Sequence, residues 1–208
     1  METVEQKSLT RSGFMIRIVV IVIGAIISAY GITLAIGAGY GSATLAVLWQ
    51  GVAHTFSVSL GMSSGVIAAI MIIVVFFYDR KQIHVGTFLY QIIYSFFVDV
   101  FGGLHRYPAN AYINFGVMVI GIVIFAVGTG MYASAKLGRG SYEAVTFAIA
   151  EKNHFSIRIV RIISDIVIVF IGFLLGGKIG VCTCVTILLS GPMIQASNKI
   201  SSALFRFR

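Results

Sequence analysis

Apolar residues run along the chain in six long stretches that short polar segments separate. The stretches cover, approximately, residues 15–38, 58–78, 82–101, 112–135, 155–176 and 179–198. Each has the roughly 20 mostly apolar residues that an α-helix needs to cross the hydrocarbon layer of a bilayer. The pattern therefore predicts an all-α membrane protein with six transmembrane helices, of which the third and fifth are the least apolar.

Two connections, 39–57 and 136–154, are long enough to contain a short helix of their own. Each predicted helix follows a Gly-rich turn and starts near a hydroxyl residue, Thr44 or Ser141, that is suited to capping a helix N-terminus. The first short helix has no Lys, Arg, Asp or Glu. We therefore expect these helices to lie in the membrane interface or to re-enter the membrane, where protein or a wet cavity must satisfy the backbone.

The two halves of the chain resemble each other when the sequence is shifted by 97 residues, the difference between Gly24 and Gly121. Further matches at this shift are Gly31 with Gly128, Gly41 with Gly138, and Thr44 with Ser141. Both halves have the order span, Gly turn, short helix, span, short link, span. Because each half has an odd number of spans, the second half is predicted to be inverted relative to the first, as in many secondary transporters.

The basic residues predict how this repeat is oriented. The predicted parts are an N-terminal tail at 1–13, a first three-span repeat at 14–104, an inverted second repeat at 105–200 and a C-terminal tail at 201–208. Of the 15 Lys and Arg residues, all but Arg106 and Lys178 fall on one side of this arrangement. The positive-inside rule places that side, and with it both termini, in the cytoplasm of a cell with the protein in its plasma membrane.

Composition indicates that the lipid bilayer is the main partner of this chain. Hydrophobic residues make up 58% and charged residues 11% of the sequence, whereas soluble domains have roughly 25% charged residues. The net charge of +8 lies in short loops and tails. We therefore interpret the positive charge as a determinant of membrane orientation and predict no nucleic-acid partner.

The sequence lacks the main motifs of nucleotide hydrolysis and zinc catalysis. It contains neither a complete Gly-x-x-x-x-Gly-Lys-Ser/Thr loop nor a His-Glu-x-x-His helix, so we predict no enzymatic activity. The four His residues are scattered, and Cys182 and Cys184 do not share a helix face because they are two positions apart. We expect no metal, no disulfide and no cofactor.

The fifth span contains the strongest candidates for a functional site. Arg161 and Asp165 are four positions apart and share a helix face, and Arg158 lies on nearly the same stripe. Ionisable groups within a span usually face the bundle interior or a wet cavity, which predicts a solute or proton site. The alternative is an ion pair near the interface, with both arginines reaching to water.

Three further polar residues are candidate solute or gating residues. Glu143 lies in the first turn of the second short helix, where it compensates the helix dipole or pairs with Arg161 to gate an opening. Asp99 is either an interfacial partner of Arg106 or part of an outer gate. Gln91 either bonds between helices or lines a solute path.

Glycines are expected to pack helices and form turns. Small residues let helix backbones approach closely in membranes, and glycine allows turn conformations that other residues avoid. The candidates are Gly24, Gly31, Gly121 and Gly128 for packing, Gly41, Gly138, Gly176 and Gly177 for turns, and the Gly191–Pro192 pair near the last span.

Four segments in the second half carry a family resemblance. They are a Gly-x-Gly-Ser-x-acid turn at 138–143, an Arg followed by an acid at Arg161 and Asp165, a Gly-Gly hairpin within 175–183, and the Gly-Pro pair at 191–192. In this order and spacing they resemble the YczE/YyaS/YitT family of bacterial membrane proteins. The resemblance extends over most of the chain and implies a multipass plasma-membrane protein, without implying a substrate.

Two functions remain open at this point. The first is a small-solute transporter in which the inverted halves alternate between two arrangements. The second is an accessory or scaffold protein that assists another membrane complex, secretion or biosynthesis, including a substrate-capturing subunit of an importer. The small-residue faces are compatible with a homodimer or with a membrane-complex partner.

Overall fold

The computed structural model describes residues 11–104 and 110–205. This part of the chain forms eight α-helices and a short 3₁₀ helix at Arg80–Gln82, with no strand. The α-helices are α1 Arg11–Gly37, α2 Thr44–Phe56, α3 Leu60–Tyr78, α4 Val85–Gly102, α5 Ala111–Ser134, α6 Ser141–Asn153, α7 Ile157–Leu174 and α8 Val181–Leu204. The all-α prediction is confirmed, and each predicted span overlaps a helix.

Five helices are long and apolar enough to cross a membrane: α1 from Gly13, α3, α4, α5 and α8. The protein is therefore a multipass membrane protein. Helix α7 has 18 residues but is not among the five, since Arg158, Arg161 and Asp165 all fall within it. Length and composition alone thus support five of the six predicted spans.

The outer surface of α7 is nevertheless strongly apolar. The helix buries Val160, Asp165, Ile168 and Gly172 against the protein. Its exposed large side chains are Ile157, Ile159, Ile162, Ile163, Ile166, Val167, Phe170, Ile171, Phe173 and Leu174. An exposed apolar face of this extent is rare on soluble monomers and typical of a surface that lipid or another protein covers.

Helices α1 and α5 cross at the centre through pairs of glycines. A Cβ added at Gly24 would lie 2.8 Å from the carbonyl oxygen of Gly128, and one added at Gly31 would lie 2.7 Å from that of Gly121. Both distances are too short for a real side chain. The predicted packing role of these four glycines is confirmed, and it brings the two backbones into direct contact.

The short helices α2 and α6 are alike in length and in both boundaries. Each has 13 residues, and each ends at a residue in the left-handed region, Ser57 or His154. The predicted capping by Thr44 and Ser141 is wrong, because these are the first helical residues and not the N-caps. The N-cap positions are Ala43 and Gly140, and neither provides a side-chain hydrogen bond to its helix.

Each short helix begins at a turn that the other half of the chain holds in place. The turns contain Gly41 and Gly138, both with positive φ as predicted. At the turn before α6, Gly86 N–H donates to Leu137 O (2.8 Å) and the Thr87 hydroxyl donates to Arg139 O (2.7 Å). At the turn before α2, the equivalent bonds are Cys182 N–H to Tyr40 O (2.9 Å) and the Thr183 hydroxyl to Ser42 O (2.6 Å). The start of α4 therefore binds the turn before α6, and the start of α8 binds the turn before α2.

The two halves differ in how their last two helices pack. Helices α3 and α4 are in close contact, whereas α7 and α8 barely touch. In the first half, Gly61 and Gly65 allow the approach, and Ser64 donates a hydrogen bond to Ser95 (2.9 Å). At the shift of 97, Gly61, Ser64 and Gly65 correspond to Arg158, Arg161 and Ile162, and at a shift of 96 Ser95 corresponds to Gly191. Helix α7 thus has long side chains at positions where α3 has small ones.

The expected packing role of Gly191 is wrong, because α8 lies apart from α7. A Cβ added at Gly191 would meet nothing within 4 Å, so Gly191 does not pack against another helix. Helix α8 continues through Pro192. By contrast, Gly176 has a positive φ of 93° and Gly177 lies against the backbone of Val47, in agreement with a tight hairpin.

Charged residues gather at the end of the bundle where α1 begins. Arg17 donates to the carbonyl oxygen of Ala135 (2.7 Å), and the Arg139 guanidinium lies 3.7 Å from the Glu151 carboxylate. Gln82 donates a hydrogen bond to Glu151 (2.8 Å). The predicted basic loops thus meet at one end.

Candidate functional site

A small cavity lies between the two halves of the protein. Its volume is about 110 Å³, and α1, α2, α4, α5, α6, α7 and α8 all contribute to its wall. The first residues of both short helices line it: Thr44, Leu45 and Ala46 from α2, and Ser141, Tyr142 and Glu143 from α6. The cavity therefore lies where the N-termini of α2 and α6 converge.

These N-termini give the cavity a positive character. The first N–H groups of a helix have no partner within the helix, and the dipole adds partial positive charge at the same end. Neither Ala43 nor Gly140 satisfies these groups with a side chain. Such helix ends bind anions when no carboxylate or hydroxyl of the protein covers them.

Four aromatic residues form a continuous layer beside the α2 N-terminus. The ring centroids of Tyr90 and Tyr132 are 3.9 Å apart, those of Tyr90 and Tyr94 5.4 Å, and those of Trp49 and Tyr94 5.8 Å. All four residues line the cavity and are at least 90% buried. Among the described residues, Trp49 Nε1 and Tyr94 Oη have no hydrogen-bond partner, so two polar groups of the aromatic layer remain unsatisfied.

Sequence reasoning missed this aromatic layer. Tyrosine and tryptophan on apolar helices are indistinguishable from ordinary core residues when only periodicity is considered. One signal was available: Trp49 is the single Trp of the chain, and it lies on the short helix that was already suspected of re-entering the membrane.

Three of the predicted site residues line the cavity: Gln91, Glu143 and Arg161. Gln91 connects α4 to α6, because its amide donates to Ser95 (2.9 Å) and its carbonyl oxygen accepts from Ser141 (3.5 Å). It therefore bonds between helices, as expected, and it also lines the cavity.

Glu143 lies over the beginning of its own helix. A Cβ added at Gly140, the N-cap of α6, would lie 3.4 Å from Glu143 Oε2. A carboxylate in this place compensates the helix dipole. Within the described part of the chain, no ion pair joins Glu143 to Arg161, so the predicted gating pair is not formed in this arrangement.

Asp165 is buried behind the cavity and acts through Tyr142. The Tyr142 hydroxyl donates to Asp165 Oδ1 (2.7 Å), which ties α6 to α7. Arg161 lies over the Tyr142 ring, 5.9 Å from its centroid, and makes no ion pair with Asp165 among the described residues. The alternative of an Arg161–Asp165 ion pair is therefore wrong, although the two residues do share a face.

Asp99 and Arg158 lie outside the cavity. Asp99 caps the start of α3, where its carboxylate accepts from the Ser59 hydroxyl and from Gly61 N–H (2.6 Å). Its expected partner Arg106 lies outside the described residues. Arg158 is exposed at the start of α7.

The α3 start also contains a pattern that sequence reasoning missed. Gly61, Ser63 and Gly65 match the Gly-x-Ser-x-Gly motif of hydrolases. The motif requires a strand-to-helix turn that exposes the serine, whereas these residues lie inside α3 and Ser63 is fully buried. The match therefore provides no nucleophile.

The fold and the cavity define a class, a multipass α-helical membrane protein with a small, mostly apolar cavity at the N-termini of its two short helices. Residues 15–199 match a family of unknown function, DUF6198, and the chain belongs to this family.

Two relatives cover most of the chain. An uncharacterised protein of Haemophilus influenzae is 28% identical over 166 residues, which are 80% of this chain and 76% of that protein. The uncharacterised membrane protein YczE of Bacillus subtilis is 27% identical over 187 residues, which are 88% of this chain and 86% of YczE. The predicted resemblance to YczE-type proteins is confirmed. No solved structure matches the chain.

Proposed function

We propose that this protein is a small-solute transporter of the plasma membrane, and not an enzyme, in which two inverted halves alternate in opening a shared cavity. The observation that carries this proposal is the cavity itself. It lies between the halves, where many transporters bind their substrate, and the helix pairs on its two sides differ: α3 and α4 are packed while α7 and α8 are apart.

The proposal requires α7 to be a sixth crossing. Its 18 residues extend about 27 Å at 1.5 Å per residue, close to the thickness of the hydrocarbon layer. The apolar face is directed outwards, while Arg161 lines the cavity and Asp165 is buried. Charged groups within crossing helices are tolerated in this arrangement.

Six crossings place three in each half, so the halves are inverted relative to one another. The paired hydrogen bonds at 2.6–2.9 Å support this relation, because exchanging the halves converts each bond into its equivalent. Both termini then lie on the side where the basic loops meet, which is the cytoplasm by the positive-inside rule.

Alternating access follows from the difference between the halves. In transporters with inverted repeats, the arrangement of one repeat in one state is adopted by the other repeat in the opposite state. Here the cavity is lined by α4, which is packed against α3, and by α7 and α8, which are apart from each other. We propose that solute enters or leaves on the side of the separated pair.

Fusions of the full chain to reporters are expected to place both termini in the cytoplasm. Green fluorescent protein fused at either end fluoresces, because it folds in the cytoplasm, and alkaline phosphatase fused there stays inactive. Phosphatase fused after Lys178, between α7 and α8, is active. An active phosphatase at the C-terminus would indicate an odd number of crossings and contradict the inverted halves.

Proteoliposomes test transport directly. We expect saturable uptake of at least one of five probes, namely acetate, alanine, glycerol, chloride and potassium, each measured as an isotope against protein-free liposomes. Fluxes equal to those of empty liposomes for every probe, with the protein folded and inserted, would overturn the proposal.

A second candidate is an accessory role, favoured by an open groove between α3 and α4. The groove has a volume of about 600 Å³ and a mostly apolar wall that includes Met62, Phe88 and Phe96. A helix of another membrane protein fits such a groove by shape and polarity. This candidate predicts stable co-purification with a partner and no saturable flux.

A further inference from the structure

We propose that the cavity binds a small monocarboxylate, with the carboxylate of the solute at the N-terminus of α2. This proposal names the solute of the proposed transporter. Movement of the solute across the membrane rests on that proposed function, whereas binding in the cavity does not.

The short helices α2 and α6 occupy equivalent positions in the two halves, but their first turns differ in charge. Glu143, three residues into α6, corresponds to Ala46 in α2 by the same shift of 97 that relates Gly41 to Gly138. The Glu143 carboxylate lies over the N-cap of α6, and α2 has no acidic residue in its first turn. One helix end is therefore compensated by the protein, and the other is not.

The α2 end has donors without acceptors. No group in the described part of the chain accepts a hydrogen bond from the backbone N–H of Thr44, Leu45 or Ala46. In a membrane protein such groups need a ligand or water. A carboxylate from a solute would occupy at α2 the place that the Glu143 carboxylate has at α6.

Two side chains near this helix end, Trp49 and Tyr94, provide further hydrogen-bond donors without an acceptor among the described residues. Trp49 lies on α2 itself, and side chains of a helix lean towards its N-terminus. In the part of the chain that the structure describes, its indole N–H and the hydroxyl of Tyr94 are both buried and have no hydrogen-bond partner. An indole N–H only donates, and a phenol hydroxyl donates readily to an anion, so these groups select an acceptor and not a cation.

Charge in the cavity wall is balanced by one base and one acid. Arg161 lines the cavity on the α7 side and Glu143 on the α6 side. Since Glu143 already faces its own helix end, Arg161 is the charge available to attract a solute anion through the gap between α7 and α8.

The size and polarity of the cavity limit the solute. A volume of about 110 Å³ has room for a small solute, since a single water needs roughly 10–15 Å³ of such space. The wall also includes the apolar side chains of Ile32, Phe125 and Ile194. A carboxylate with one to three carbon atoms, such as acetate or lactate, meets both limits.

The single tryptophan makes the test direct, because Trp49 is the only indole in the chain. The full-length protein, purified in detergent, is titrated with sodium acetate while its tryptophan emission is recorded. Sodium chloride at equal ionic strength and neutral acetamide serve as matched probes. We expect a saturable change with acetate and an apparent affinity at least about tenfold weaker for acetamide, because a charged acceptor makes stronger hydrogen bonds. Equal responses to acetate, chloride and acetamide would overturn the proposal.

Three variants test the charges. Glu143→Gln removes the like charge and is expected to tighten acetate binding about tenfold, and Arg161→Gln to weaken it about tenfold. The matched control Arg158→Gln removes an exposed charge from the same helix and leaves the affinity unchanged. Unchanged affinity in both cavity variants, with the proteins eluting as folded species, would contradict a carboxylate in this place.

The outcomes separate this proposal from transport itself. Acetate binding with the expected variant pattern, combined with no acetate flux in proteoliposomes, supports the site and overturns the transporter. Saturable flux of another probe, combined with no response of Trp49 to acetate, supports the transporter and overturns the carboxylate site.

Discussion

The replacement Gly31→Ala is expected to prevent α1 and α5 from packing. An added Cβ would meet the backbone nitrogen of Phe125 and lie 2.7 Å from the carbonyl oxygen of Gly121. Both groups belong to the α5 backbone, so no side-chain rotation relieves the overlap and the helices must separate. Overpacking of a rigid core costs about 3 kcal/mol, and separation also breaks the contact between Ser28 and Thr129 (3.2 Å).

The measurement is the yield of monodisperse protein after detergent extraction, together with its midpoint of thermal unfolding. The matched control is Gly116→Ala on α5, where an added Cβ would meet nothing within 4 Å. This control is expected to be neutral or slightly stabilising, because alanine favours a helix over glycine by roughly 1 kcal/mol. If Gly31→Ala unfolded at the temperature of the control, the crossing would not be as close as described.

The helices were predictable because hydropathy and helix length depend on local sequence alone. The predicted span 112–135 became Ala111–Ser134, and the predicted span 58–78 became Leu60–Tyr78. The two turns were also predictable, since Gly41 and Gly138 both have a positive φ, a conformation that favours glycine.

The candidate site was only partly predictable, because its bonds join distant segments. The spacing of Arg161 and Asp165 placed them on one helix face, but the Asp165 carboxylate accepts its hydrogen bond from the Tyr142 hydroxyl of α6. Asp99 was expected near Arg106, yet it caps α3 from a neighbouring helix. Spacing gives the face that a residue occupies, and the partner depends on tertiary packing.

The separation of α7 from α8 could have been predicted from the sequence. The repeat places Arg158, Arg161 and Ile162 where the first half has Gly61, Ser64 and Gly65. Small residues support close helix packing in membranes, so their loss in one half predicts a gap there. Comparison of the halves for differences, and not only for matches, would have predicted the separation of α7 from α8.

The replacement Arg161→Gln is expected to reduce flux of the transported solute by ten- to a hundredfold. Arg161 is the one basic side chain among the described residues that line the cavity, and it lies on α7, beside the gap that we propose as the route of the solute. A hydrogen bond to a charged group contributes about 1.5–3 kcal/mol, and every 1.4 kcal/mol is a factor of about ten in an equilibrium. The initial rate of uptake into proteoliposomes at low solute concentration measures the loss.

Arg158→Gln provides the matched control for this prediction, because it removes the same charge from an exposed position one turn away on α7. Its flux is expected to equal that of the unmodified protein. Arg161→Lys, which keeps the charge but loses the planar guanidinium, is expected to fall between the two. Equal losses in Arg158→Gln and Arg161→Gln would mean that the charge of α7 acts through insertion or orientation in the membrane, and the cavity would then not be the route of the solute.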